Sequence, residues 1–322
     1  MPREPRKLSL PVTALALLAA VAGYLLATHF PGPAPLAHQE SSHHTPLEQS
    51  HPAPAASTPA PATQTARSKK FSPPAGAIQN EMLLRFRNAT ALQAFLDQAV
   101  KSGVRVLGII PGLNAVRIGF DTPAQADEIG ALAPDATGVG FNYIATLPSA
   151  PDPSKQDLGG PYLAFANHAL TWLGVPSNNS SWGEGVKVAL LDTGITAVPG
   201  LSQNSISTID LVSQSGGTTG DLRHGTAMAS IIAGNSPDEP GIAPSAQLLS
   251  IAVLDGNGAG NSFTVAQGIM DAVNSGARVI SMSLGSSGDS SILQDAVNYA
   301  LAHDVAIVVA VGNDGIGSVS YP

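Results

Sequence analysis

Three polar side chains that could move or stabilise charge lie where apolar segments of the chain begin or end. Asp192 follows the apolar run VKVALL, so its carboxylate could reach a neighbouring side chain or cap a turn. His224 stands at the start of a helical pattern, where it could act as a base or cap the helix. Asn313 follows the run VAIVVAV, and its amide could donate to a developing oxyanion or complete a turn.

Residues 162–322 contain the elements that would position these side chains. Continuous apolar runs are typical of buried parallel strands, and here they alternate with helical patterns at about 224–234, 263–275 and 289–303. The apolar runs are Val186–Leu191, Leu248–Val253, Arg278–Ser283 and Val305–Val311. This alternation predicts a doubly wound α/β domain with a parallel sheet, whose ligands bind at the carboxyl ends of the strands. Asp192 and Asn313 stand at two such ends.

A smaller α+β unit is predicted over residues 77–147. Its pattern is β-α-β-β-α-β, the ferredoxin-like or split βαβ order. The first strand is predicted at Ile78–Arg87, and Thr90 is expected to cap a helix over Ala91–Ser102. The apolar face of this helix would consist of Leu92, Phe95, Leu96 and Val100. Asp121 or Thr122 would cap the second helix, and the last strand is expected at Val139–Ile144.

The remaining segments have the composition of targeting and linker sequences. Residues 1–30 combine a basic start with an uncharged apolar run at 8–27, which predicts either a signal peptide or a signal anchor. Residues 31–76 are rich in Pro and Ala and are predicted to form a disordered linker. Residues 148–161 carry further Pro and Gly and are predicted to be an exposed linker that is cleaved during processing.

The composition excludes several classes of function. The chain has 322 residues, a net charge of −8 and no cysteine. The negative charge argues against a nucleic-acid partner, and the absence of cysteine excludes disulfides, thiolate metal sites and a cysteine nucleophile. Hydrophobic residues make up 43% of the sequence, which is enough for a packed core.

Several motifs together resemble the subtilisin-like serine proteases, or subtilases. The segments VALLDTGI, HGTAMASIIAG, GIAP, SMSLG and AVGNDG occur in the order and spacing of that family, over about 170–322. The resemblance implies that Asp192 and His224 belong to an Asp-His-Ser triad and that Asn313 lines the oxyanion hole. It also implies that two segments pair with an extended peptide substrate, namely Gly258-Ala259-Gly260 and Ser283-Leu284-Gly285. Residues 77–147 would then be the inhibitory propeptide, which also assists folding.

Three features depart from the family pattern. Ala227 replaces a second histidine in the motif around His224, which should alter packing more than chemistry. The stretch from His224 to Gly241 lacks room for the family's calcium loop, so the resemblance supports neither a metal nor a cofactor. The Gly-Thr-Ser segment that carries the family's nucleophile does not occur among these residues. We therefore expect the sequence to be a C-terminally incomplete fragment that is inactive alone.

Other functions fit the residues less well. If the chain ends naturally at Pro322, it would be a non-catalytic peptide-binding pseudoprotease that keeps the substrate-pairing segments. The tripeptide Asp192-Thr193-Gly194 also fits an aspartic protease, but that class needs two such carboxylates in an all-β fold. A dinucleotide site lacks its third glycine, because Asn261 stands there. The favoured interpretation is an exported endopeptidase that is secreted, periplasmic or anchored to the membrane by residues 8–27.

Overall fold

The computed structural model describes residues 71–148, 170, 173–201, 206–217, 220–236, 240–310 and 321–322. The predicted signal or anchor segment, most of the 31–76 linker, nearly all of the 148–161 linker and Asn313 lie outside these residues. Within the described part of the chain, no helix combines the length and the hydropathy needed to cross a membrane.

The N-terminal unit is a four-stranded antiparallel sheet with two helices packed against it. The elements follow one another in the predicted order β-α-β-β-α-β, and the strands lie side by side in the order β2-β3-β1-β4. Its core forms between the sheet and the helices around Met82, Leu84, Phe95 and Ile118. The elements are β1 (Glu81–Phe86), α1 (Ala89–Lys101), β2 (Arg105–Ile110), β3 (Ala115–Gly119), α2 (Pro123–Ala131) and β4 (Ala136–Gly140).

The structure corrects the sequence-based prediction of α1 in two respects and confirms one of the two alternatives for the cap of α2. Helix α1 is capped by Asn88, whose Oδ1 accepts a hydrogen bond from the Ala91 N–H at 2.9 Å, so the helix begins before Thr90. Thr122 caps α2, which is one of the two predicted alternatives. Val100 was assigned to the buried face of α1 but is 78% exposed, because the last turn extends past the edge of the core.

The last six residues of the predicted 31–76 linker lie within the described part of the chain. Phe71 was assigned to the disordered 31–76 segment, yet its ring packs against the rings of Phe120 and Phe141, each at a centroid distance of 5.3 Å. Its backbone N–H donates to Asp127. Phe71 thus packs against the N-terminal unit through its ring and its backbone, although it precedes two prolines.

The second layer is a five-stranded parallel sheet with the strand order β12-β10-β6-β8-β7. The strands are β6 (Lys187–Asp192), β7 (Ile206–Asp210), β8 (Gln247–Ala252), β10 (Val279–Met282) and β12 (Ala306–Val309). The helices are α3 (Leu211–Gln214), α4 (Arg223–Ala233), α5 (Ser262–Asn274) and α6 (Ser291–Ala302). Side chains of β6 and β8 alternate between two cores, one shared with α5 and α6 and the other with α4. The predicted doubly wound α/β architecture is confirmed.

A third, three-stranded sheet joins the two units. Strand β5 (Ile144–Thr146) leaves the N-terminal unit and lies between β9 (Ala259–Asn261) and β11 (Gly285–Ser286), antiparallel to both. The prediction that Ile144 ends a strand of the N-terminal sheet is wrong, because β4 already ends at Gly140. These strands of two or three residues carry no periodic pattern of their own, and their pairing is stabilised by contacts that are distant in sequence.

Asn142 fastens the two units together just before β5. Its side chain is fully buried, and its Oδ1 accepts hydrogen bonds from the Ser262 hydroxyl at 2.9 Å and the Phe263 N–H at 3.1 Å, at the start of α5. Its amide nitrogen donates to Glu81 at 2.7 Å, and Arg117 pairs with the same carboxylate. The amide thus supplies a helix cap from the other unit, in an orientation that Glu81 fixes.

We expect Asn142→Ala to lower the free energy of unfolding of the chain by about 3 kcal/mol, because several buried polar groups lose their partner at once. Urea denaturation monitored by circular dichroism measures this change. Asn88→Ala is the matched control, since it removes an exposed helix cap and should cost about 1 kcal/mol. Equal losses in the two variants would contradict the coupling role of Asn142.

Candidate active site

Asp192 is the last residue of β6 and is fixed at the carboxyl end of the parallel sheet. Its side chain is 1% exposed, and its Oδ1 accepts a hydrogen bond from the Thr193 N–H at 2.7 Å. Its backbone carbonyl accepts from the N–H groups of Val253 and Leu254, which continue β8. The carboxylate therefore sits at a fixed position inside the protein and faces the start of α4.

His224 lies in the first turn of α4, directly opposite that carboxylate. Its Nδ1 is 2.9 Å from each of the two carboxylate oxygens of Asp192. Since Asp192 is an acceptor, Nδ1 carries the proton in the neutral ring, and Nε2 keeps a lone pair. The His224 side chain is 36% exposed, so this lone pair can reach a group bound at the surface. The pair has the geometry of a base held in one tautomer by a buried carboxylate.

The carboxylate also sets the protonation of the histidine. The hydrogen bond to Asp192 raises the pKa of His224 above 6.5, and the negative charge of Asp192 adds to this effect. Burial of the ring lowers the pKa, but this effect is smaller than that of the hydrogen bond. The imidazolium is thus stabilised at the place where a base would need to hold a proton.

Gly225 allows α4 to approach β6 closely enough for this pair to form. A Cβ atom built on Gly225 would lie 2.1 Å from the carbonyl oxygen of Gly194 and 3.2 Å from Oδ1 of Asp192. The Gly225 N–H also donates to the Thr193 hydroxyl at 3.3 Å. Neither Gly194 nor the helix backbone can move away without separating His224 from Asp192.

We expect Gly225→Ala to lower the free energy of unfolding by about 1–3 kcal/mol, because the added methyl group overpacks the contact between α4 and β6. The pKa of His224 should fall towards its ordinary value as the hydrogen bond to Asp192 lengthens. Urea unfolding and an NMR titration of the imidazole measure the two effects. Gly138→Ala is the matched control, because nothing lies within 4 Å of a Cβ built there. An unchanged His224 titration in Gly225→Ala would contradict this role.

A groove that holds an extended chain adjoins the pair. Strand β5 fills it, with Ala145 opposite Gly260 of β9 and Ser286 of β11, and Thr146 opposite Ala259 and Gly285. The Leu147 N–H continues this ladder by donating to the Gly258 carbonyl at 3.0 Å. The groove therefore holds the chain's own strand by main-chain hydrogen bonds on both sides.

The groove and the Asp192–His224 pair share one structural support. Leu254, which donates to the Asp192 carbonyl, also forms a bridge with Gly260 of β9. The loop before β9 touches the segment before α4, since a Cβ built on Gly256 would lie 2.4 Å from Cα of Gly220. Residues that flank the pair are thereby in contact with β9 and with the loop before it.

The structure brings together most of the residues that the sequence predicted for the site. Asp192 and His224 are in contact, and four residues of the two predicted substrate segments line the groove, namely Gly258, Ala259, Gly260 and Gly285. Ser283 and Leu284 are buried next to β11, where Leu284 packs in the same core as Ala145. Asn313 lies outside the described residues, and its predicted role stays a prediction.

Sequence reasoning missed Ser286 and Asn261, which also pair with β5. Asn261 additionally caps α5 by accepting from the Thr264 N–H at 3.0 Å. An Asn two residues before the helical pattern predicted at 263–275 is an ordinary capping signal and could have identified this position. Ser286 had no comparable signal, because its pairing depends only on where β5 docks.

Comparison with known sequences shows what the residues around the site are similar to. The profile of the subtilase family matches residues 183–322. Subtilisin Savinase of Lederbergia lenta is 43% identical over 147 residues, which are 45% of this chain and 54% of that protein. Thermitase of Thermoactinomyces vulgaris is 40% identical over 144 residues, or 44% of this chain and 52% of that protein. The chain thus spans about half the length of these two relatives.

Solved structures give the same fold. Fervidolysin from Fervidobacterium pennivorans, described as a keratinolytic enzyme related to subtilisin, superposes with a TM-score of 0.60 at 23% identity. The superposition covers 79% of this chain and 43% of that one. The likeness therefore extends beyond residues 183–322, although at this identity it concerns the fold alone. Residues 183–322 are thus similar in sequence to the subtilase family, and the chain shares its fold with fervidolysin.

Proposed function

We propose that the protein is a serine-type endopeptidase that hydrolyses peptide bonds in extended polypeptides. The observation that carries this proposal is the Asp192–His224 pair, with Nδ1 2.9 Å from both carboxylate oxygens, beside a groove that holds an extended strand. The serine nucleophile would lie outside these 322 residues, because the Gly-Thr-Ser segment does not occur among them. Asn313 would donate from its amide to the oxyanion.

The two residues would act in a fixed sequence. His224 Nε2 takes the proton from the serine hydroxyl as its oxygen bonds to the scissile carbonyl carbon. The same nitrogen then returns the proton to the leaving amine when the carbon–nitrogen bond breaks, and water repeats the cycle on the acyl-enzyme. Asp192 stabilises the imidazolium in both steps, which agrees with the raised pKa of His224.

The N-terminal unit would act as an inhibitor that occupies the groove. Supporting this, β5 pairs with both walls of the groove, and Asn142 caps α5 from the same segment. A groove already filled by the chain's own segment excludes a second peptide. Processing within 148–161 would release this unit, and residues 8–27 would direct export, as secreted subtilases require.

A covalent probe tests the proposed reaction. We use the name complete enzyme for the protein translated from the uninterrupted reading frame that includes these 322 codons. The complete enzyme should react with a fluorophosphonate. Labelling should occur on a serine and should require processing of the N-terminal unit. Absence of labelling after removal of that unit would contradict the serine mechanism and favour a non-catalytic peptide-binding protein.

A further inference from the structure

One side chain of the bound strand lies in a pocket outside the paired residues of β5. Tyr143, the residue before β5, is 7% exposed, while Ile144 is 50% exposed and Ala145 is fully buried. This alternation is that of an extended strand with one face on the protein. Two side chains of the strand therefore contact the groove, an aromatic one and a small one two residues further on.

The backbone of Tyr143 is fixed as part of the same ladder. The Ser262 N–H donates to the Tyr143 carbonyl at 2.9 Å, and the Tyr143 N–H donates to the Ser262 hydroxyl at 3.1 Å. Tyr143 also forms a bridge with Ala77 on its other side. Since the main chain is held on both sides, the ring has little freedom to leave its position.

Gly288 forms the floor beneath the ring. A Cβ atom built on Gly288 would lie 2.1, 2.2 and 2.6 Å from ring atoms Cε1, Cδ1 and Cζ of Tyr143. Gly288 is not among the glycines with a left-handed φ, so its backbone does not itself require glycine. Its position is fixed by Ser286, whose hydroxyl donates to the Gly288 carbonyl at 3.2 Å. The absence of a side chain at Gly288 thus serves the contact with the ring.

The surroundings favour an uncharged ring. Burial raises the pKa of Tyr143 above 10, and the nearby Asp289 and Tyr321 raise it further. An acidic side chain at this place would be repelled by the negative charge of Asp289 and would lose hydration. A neutral aromatic side chain satisfies both the shape and the charge of the pocket.

We propose that Gly288 and Ser262 form a subsite for an aromatic side chain, two residues before the residue that occupies the position of Ala145. The preferred ligands are extended peptides with the order aromatic, any residue, small residue. This inference rests on the proposed function, because it assigns to peptide substrates the groove that the chain's own segment fills. It makes Gly288 a residue that determines specificity.

Peptide binding to the full 322-residue chain tests the subsite. The chain would carry Ala145→Asp, since a carboxylate cannot enter the buried position of Ala145 and the chain's own strand then vacates the groove. Calorimetry compares acetyl-Asn-Tyr-Ile-Ala-Thr-Leu-amide with the same peptide carrying Ala in place of Tyr. We expect the tyrosine peptide to bind about 10- to 100-fold more tightly, as for a buried aromatic anchor. Adding Gly288→Ala should remove this preference, whereas adding Gly138→Ala should keep it.

Equal affinities for the two peptides, or no binding of either, would overturn the inference. A second measurement keeps the natural strand in place and follows hydrogen exchange of the Tyr143 and Ser262 amides. Gly288→Ala should accelerate both about 10-fold or more, and a further Tyr143→Ala should restore slow exchange at Ser262 by relieving the clash. Exchange that Gly288→Ala leaves unchanged would also overturn the subsite.

These outcomes separate the subsite from the proposed function. Neither measurement requires hydrolysis. Selective binding by a protein that no fluorophosphonate labels would support the subsite and contradict the endopeptidase proposal. Labelling without peptide selectivity would support the endopeptidase proposal and contradict the subsite.

Discussion

Replacing His224 by alanine is expected to lower kcat for peptide hydrolysis by the complete enzyme by about 10⁶-fold, the magnitude established for the triad of subtilisin. The expectation follows from geometry, because His224 Nδ1 is held 2.9 Å from both oxygens of Asp192 and only Nε2 remains to accept the serine proton. Cleavage between the N-terminal unit and the α/β domain should stop as well, if the enzyme processes itself. Turnover of a chromogenic peptide and the mass of the purified product measure these two effects.

His303→Ala is the matched control for that variant. His303 is an exposed histidine just after α6, where its ring lies 4.1 Å from the ring of Tyr299 and its Nδ1 contacts the Tyr299 carbonyl. We expect this variant to keep full activity and normal processing. Equal rates in His224→Ala and the unmodified enzyme would exclude a catalytic role for the pair, and processing alone at the normal rate would assign that cleavage to another protease.

The sequence predicted the residues of the pair because each stands at a point where the pattern of the chain changes. Asp192 ends a continuous apolar run, and His224 begins a helical one, so both positions follow from periodicity alone. Their contact could not be derived from spacing, since it depends on Gly225 meeting the carbonyl of Gly194 across 31 residues of chain. The family resemblance supplied that step.

The parts of the fold that the sequence did not predict are short elements whose stability is tertiary. Strands β9 and β11 have three and two residues, and both pair with β5, which lies between them. Strand β7 was missed because its residues are partly exposed at the edge of the sheet and lack a continuous apolar run. Asn142 was not identified for a similar reason, because an isolated polar residue gives no sign of the helix that it caps.

Replacing Asp192 by asparagine is expected to lower kcat by about 10⁴-fold while leaving the fold intact, as for the corresponding change in other Ser-His-Asp enzymes. The asparagine amide can donate to Nδ1, which favours the tautomer with the proton on Nε2. That tautomer cannot accept the proton of the serine. Asp97→Asn is the control, because Asp97 is exposed on α1 and its substitution should leave turnover unchanged.

The same variant should change how activity and stability depend on pH. The Asp192 hydrogen bond raises the pKa of His224 above 6.5, so the neutral, active imidazole forms only above that raised value. Without the carboxylate, the acid limb of kcat/KM should move to lower pH.

Because the folded-state pKa of His224 is raised, the pair stabilises the protein fully below about pH 6.5 and loses this contribution as pH rises through the folded pKa. The stability difference between unmodified and Asp192→Asn chains should therefore be larger at low pH than at high pH, and urea unfolding across the range measures it. A difference that grows with pH would show that the pair does not stabilise the imidazolium.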